Sequence, residues 1–231
     1  MTFLYIILPV IIGFCLCGAW FGLCALFSAL LRKSGAAARL SPLLAAVPFV
    51  AALKITAGFI PQKFEHTQTL PCAAAVLAAV LLSAAAANLF TLRRRLFGKE
   101  LFWLIAGGAF MEVPQRLFMQ GALFAVLSYF SVPNAAVWAI FCNAAVWCLG
   151  IFAQAIIARE HISKALFAEL CASFIFSVGV GFAYQQTGDF VICALAHAAE
   201  RAIGNMLAKN SIKKFRAKST EFFLRIIKFS R

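Results

Sequence analysis

Apolar stretches long enough to cross hydrocarbon follow one another along this chain and leave little between them. They fall near 3–31, 41–60, 71–91, 101–130, 135–157, 165–184 and 190–207. A bilayer core about 30 Å thick needs roughly 20 apolar residues per helical crossing. The chain is 64% hydrophobic and only 13% charged over 231 residues, which leaves too little polar surface to clothe a soluble domain. The expectation is an all-α, polytopic membrane bundle of about seven transmembrane helices. Because 101–130 is overlong and interrupted by Pro114, six or eight also fit. No internal repeat and no long linker is visible, so 1–208 reads as one helix-bundle domain followed by a polar tail, 209–231.

The net charge of +13 is explained by where the charges stand rather than by a nucleic-acid partner. Arg32, Lys33 and Arg39 follow the first stretch, Arg93, Arg94, Arg95 and Lys99 the third, and Arg159 and Lys164 the fifth. The tail adds a further basic cluster from Lys209 to Arg231. The alternate loops hold Lys63 against Glu65, then no charge, then Asp189. With seven spans every basic loop falls on one side, and the positive-inside rule puts the N-terminus outside and the C-terminus in the cytoplasm. A bacterial cytoplasmic membrane is the expected location.

The first stretch lacks a basic n-region and is too long for a signal h-region, so it reads as a retained helix. Cys15, Cys17, Cys24, Cys72, Cys142, Cys148, Cys171 and Cys193 lie in or at the ends of apolar stretches without a CxxC pair, the pattern of buried free thiols. In the tail, Ile212, Phe215, Phe222, Ile226 and Phe229 recur at roughly helical spacing between basic residues. That pattern suits an amphipathic helix on an anionic cytoplasmic leaflet. Ala-rich 70–90, and 169–189 with Ser173, Ser177, Gly179 and Gly181, read as helices packed closely among others.

An ionisable side chain near the bilayer centre costs about 2.5–3.5 kcal/mol on insertion scales and normally faces a partner or a wet cavity. Lys54, Glu112, Arg116, Glu169, His197, Glu200 and Arg201 are such residues here, with Asn143 the clearest amide. Glu112 and Arg116 stand four apart, acid first, the favourable order for an ion pair on one helix face. Pro114 between them predicts a kink or an opened turn. His197 and Arg201 repeat the spacing of four, with Glu200 beside Arg201. Charges on two spans satisfy one another only where the spans meet, so the fourth and seventh spans are expected to pack around a polar site in the cytoplasmic half.

"MEVPQRLFMQG" (111–121) resembles the first motif, EExxxR, of the CAAX protease and bacteriocin-processing (CPBP) membrane proteins. "GVGFAYQQTGDFVICALAHAAERAIGN" (179–205) is similar to that family's closing region, a Thr-Gly turn followed by an HxxxN-type motif. The resemblance covers roughly 100–207. It implies a glutamate-type intramembrane endopeptidase, or a bacterial immunity or regulatory protein on the same fold. In such peptidases a glutamate and a histidine activate water, and a histidine and an asparagine on a late helix stabilise the oxyanion. Glu112 matches the second motif glutamate, Arg116 the arginine and His197 the late histidine. Met111 stands where the first glutamate belongs, the middle histidine is absent with Asn143 as its polar substitute, and Arg201 replaces the late asparagine.

The resemblance thus implies cleavage of a membrane-associated protein or peptide, with Glu112, His197, Arg116 and Asn143 as catalytic candidates and Arg201 and Glu200 in support. A non-catalytic scaffold or bacteriocin-immunity protein is the alternative. A small transporter ranks below both, since only the fourth span is visibly broken. No cofactor is expected: His197, Glu112 and Glu200 are ligand types, but they lack tight metal-ligand spacing.

Overall fold

Backbone amides in hydrocarbon have no water to bond, so a chain of this composition must close its hydrogen bonds within each segment. The computed structural model describes residues 2–32, 35–57, 69–89 and 95–208. These form helices, with no strand among the described residues. In chain order they are α1 (Thr2–Leu30), a short α2 (Gly35–Ala38), α3 (Ser41–Ala57), α4 (Thr69–Leu89), α5 (Gly98–Glu112), a π-helical segment (Val113–Gln120), α6 (Gly121–Tyr129), α7 (Ala135–Ile157), α8 (Lys164–Thr187) and α9 (Phe190–Leu207).

Among them α1, α4, α7, α8 and α9 are long and apolar enough to cross a membrane, and α3 is apolar but shorter. The expected span at 101–130 is helical without a break: α5 passes through the π segment into α6. Each expected stretch therefore carries a helix, and the architecture is a polytopic helical bundle. The basic tail lies outside the described residues.

Burial is inverted relative to a soluble protein. Ile55, Leu77, Phe167 and Leu195 face outward, whereas Glu112, Arg116, Gln120 and Asn143 are completely buried. An apolar exterior around a polar centre is what lipid as solvent requires. Lys54 is exposed in the last turn of α3, near enough to the helix end to snorkel. Glu169 is exposed near the start of α8. All eight cysteines are free thiols, and most are buried.

Small and polar residues fix the packing. Gly179 of α8 sits directly against Ala79 of α4, the close approach that the Ala-rich stretch allows. α3 is tied to α1 by the Ser28–Ser41 hydroxyl pair at 2.7 Å and by the Trp20 indole N–H donating to the Pro42 carbonyl. Trp20 also meets Trp147 of α7 edge-on. At one end of the bundle, Leu96 N–H donates to Asn205 Oδ1 at 2.7 Å, and Asn205 Nδ2 donates back to the Leu96 carbonyl. Arg95 donates to the Met206 carbonyl, so this loop cation also caps the C-terminus of α9, where carbonyls lack helical partners.

The Thr-Gly-Asp turn between α8 and α9 has a clear local cause. Gly188 takes φ 66°, the left-handed conformation that ends a helix at low cost. Asp189 then caps α9 by accepting from Val191 N–H at 2.8 Å, and Thr187 accepts from Asp189 N–H. The turn folds α9 back along α8 and so sets where His197 stands.

Candidate functional site

Glu112 closes α5 and Pro114 follows it at the start of the π segment. Proline has no N–H to give, so a register change there sacrifices little. The helix widens here: Gly121 N–H reaches the Arg116 carbonyl five residues back. Such π segments recur at functional sites. This one carries a polar ladder into the bundle. Arg116 Nε donates to Glu112 Oε2 at 2.8 Å, and its Nη1 donates to Gln120 Oε1 at 3.1 Å and to the Ser177 carbonyl of α8. Gln120 Nε2 donates in turn to the Gly181 carbonyl and to Gln185 Oε1. Gly181 permits this approach: a Cβ there would stand 3.0 Å from Gln120 Oε1 and 3.1 Å from Arg116 Nη1.

The ladder meets α9 at its other end. His197 Nδ1 lies 2.6 Å from Glu112 Oε1, both side chains buried. Arg201 Nε donates to His197 Nε2 at 3.3 Å, and the His197 ring rests against Phe176. Gly108 of α5 makes room, since a Cβ there would come 2.8 Å from Arg201 Cγ and 3.0 Å from His197 Cδ2. The fourth and seventh spans thus pack around a polar site, as the charge-pair reasoning required.

Both central residues lie near the middle of their helices. Glu112 is about 21 Å along the helix from Gly98 and about 25 Å from Tyr129, and His197 is about 10 Å from Phe190 and about 15 Å from Leu207, at about 1.5 Å per residue. The cluster therefore lies about midway along both helices.

Among the sequence candidates, Glu112, Arg116, His197 and Arg201 form one hydrogen-bonded chain. Glu200 joins it by distance, with Oε2 3.3 Å from Arg201 Nε. Arg201 reaches Glu112 only through His197. Asn143 makes no hydrogen bond to any of these: it is fully buried on α7 with both amide atoms unpartnered. Ile140, one turn earlier on α7, borders the Gly181 notch that holds Arg116 and Gln120. Met111, in the position of the motif's first glutamate, packs on an apolar cluster with Phe118 and Leu123.

Gln120, Gln185 and Gly108 were not singled out by sequence reasoning, and Gly181 was read only as a packing residue. Gln120 carried a signal, standing four residues after Arg116 as Arg116 stands four after Glu112. The others did not, because their contacts cross between helices. No three His, Cys, Asp or Glu side chains among the described residues are grouped to hold a metal ion.

Chemically, the cluster offers a buried carboxylate, an imidazole and two guanidinium groups in mutual contact. Glu112 commits one lone pair of each oxygen and keeps about two of its four for another donor. Arg116 Nη2 and the Tyr184 hydroxyl are also buried without partners, so the interior retains hydrogen-bonding capacity beyond its own network. Comparison with known protein families, with curated proteins and with solved structures finds no match.

Proposed function

We propose that this chain is an intramembrane endopeptidase of the CPBP type, hydrolysing peptide bonds of membrane-associated protein or peptide substrates at the Glu112–His197 pair. The observation that carries this reading is the 2.6 Å contact between Glu112 and His197. Two chemically competent side chains from distant parts of the sequence are brought together where each is costly to bury. A carboxylate hydrogen-bonded to an imidazole is a recurrent device for moving a proton from water. Unpartnered donors at Arg116 Nη2 and Asn143 Nδ2 offer stabilisation for a developing oxyanion. The location that goes with this reading is a bacterial cytoplasmic membrane, with the tail on the anionic inner leaflet.

A second reading is favoured by Met111 and by the engagement of both Glu112 oxygens and both His197 nitrogens. In it the same network locks helices together in a non-catalytic scaffold or immunity protein. The two readings separate on purified protein in lipid. The peptidase reading expects cleavage of membrane-associated peptides, with His197→Ala and Glu112→Gln each lowering the rate by about 100-fold or more while the protein stays inserted and helical. The scaffold reading expects no product from the wild-type protein, and lowered stability or partner capture in the variants.

A further inference from the structure

Arginine offers hydrogen-bond donors only and does not lose its proton in proteins. Where its Nε–H meets a histidine ring nitrogen, that nitrogen must present a lone pair. Arg201 Nε donates to His197 Nε2, so the proton of the neutral ring sits on Nδ1. That proton points at Glu112 Oε1, 2.6 Å away. Charge balance agrees. The ring contacts Glu112 and Arg201, which pair in turn with Arg116 and Glu200, two charges of each sign. A neutral imidazole leaves this buried cluster without net charge, and an imidazolium would not.

Arg201 Nε has one hydrogen and two acceptors within reach. It gives the hydrogen to His197, yet Glu200 Oε2 lies 3.3 Å from the same nitrogen. That buried carboxylate oxygen has no hydrogen bond. The Arg201 side chain is 35% exposed, and both acceptors stand 3.3 Å from its Nε.

We infer that Arg201 is a positioning residue that holds His197 in the Nδ1–H tautomer and covers Nε2, and that His197 Nε2, uncovered when Arg201 turns to Glu200, is the base of this site. Glu112 is then the carboxylate that orients the imidazole and balances the imidazolium, a role that does not need the acid missing at Met111. In the step that follows, an O–H bond of water breaks and its proton goes to Nε2 as the oxygen bonds to the peptide carbonyl carbon. As the C–N bond breaks, the proton passes from Nε2 to the departing amine, leaving a carboxylic acid and a free amine. This step rests on the peptidase reading; the tautomer and the cover over Nε2 do not.

The test is ring ¹⁵N NMR of protein labelled at histidine in a His66→Gln, His161→Gln background, so that His197 gives the only signals. The expected spectrum has a protonated Nδ1 and an unprotonated, hydrogen-bonded Nε2. In Arg201→Leu the Nε2 resonance shifts toward that of a free lone pair, and acylation of His197 by diethyl pyrocarbonate rises by about 10-fold or more. A purely structural Arg201 would change thermal stability and leave the resonances where they were. A proton on Nε2 in the wild-type spectrum overturns the inference, and that reading needs no Arg201 variant to fold. Unchanged Nε2 shift and acylation in Arg201→Leu overturn the cover. Absence of peptide cleavage, with the tautomer as expected, counts against the peptidase reading alone.

Discussion

Glu112 is the residue on which the buried network turns, because each of its oxygens holds a different helix partner. Replacing it with leucine leaves the Arg116 guanidinium in the bundle without its counter-charge, and breaking a buried pair from one side costs about 3–5 kcal/mol. Glu112→Leu should therefore lower unfolding stability by that amount, read from denaturant titration of purified protein. Asn143 is expected to behave in the opposite way. Its amide makes no hydrogen bond, so Asn143→Leu removes a desolvated polar group rather than a contact. The change should leave stability unchanged or raise it by about 1 kcal/mol, and lower peptide cleavage if the amide serves substrate. Spacing made these candidates legible: acid and base four apart on one segment, histidine and arginine four apart on another. Which atom bonds which was not legible, because one Glu112 oxygen serves its own helix and the other reaches across to α9.

At the scale of elements, α5 and α9 meet as closely as they do because Gly108 has no side chain. Gly108→Ala would press on Arg201 Cγ and the His197 ring, neither of which is a loose side-chain end. A loss of about 1–3 kcal/mol, with the His197 ring resonances displaced, is the expected result in thermal unfolding and NMR. Helix positions were readable from apolar run length, since lipid demands long uninterrupted runs. The consequence of Pro114 was not: a missing N–H can be met by a kink, an opened turn or a widened register, and packing against α8 through Arg116 and Gln120 accompanies the third. Arg95 shows a similar limit. The charge pattern placed it in a basic loop, but its bond to the end of α9 depends on two segments more than a hundred residues apart.

The described residues form a bundle with an apolar exterior and a charged centre that is only partly satisfied by its own hydrogen bonds. The orientation expected from loop charge is testable: single cysteines at Ser131 and at Gln186 should react with a membrane-impermeant maleimide from outside intact cells, in a background lacking the native thiols. A cysteine at Glu160 should react only after permeabilisation; the reverse pattern would invert the topology. The architecture was legible from composition and apolar run length, while the site was legible as two spaced polar sets on spans expected to meet, because a sequence shows which charges must find partners and not which atoms they bond. The proposal to be tested is hydrolysis at the Glu112–His197 pair. Reconstituted protein incubated with membrane-associated peptides in ¹⁸O-water tests it most directly. The account predicts new C-termini carrying one ¹⁸O from the wild-type protein and none from His197→Ala. No product from a correctly inserted wild-type protein, or labelled product from both, would contradict it.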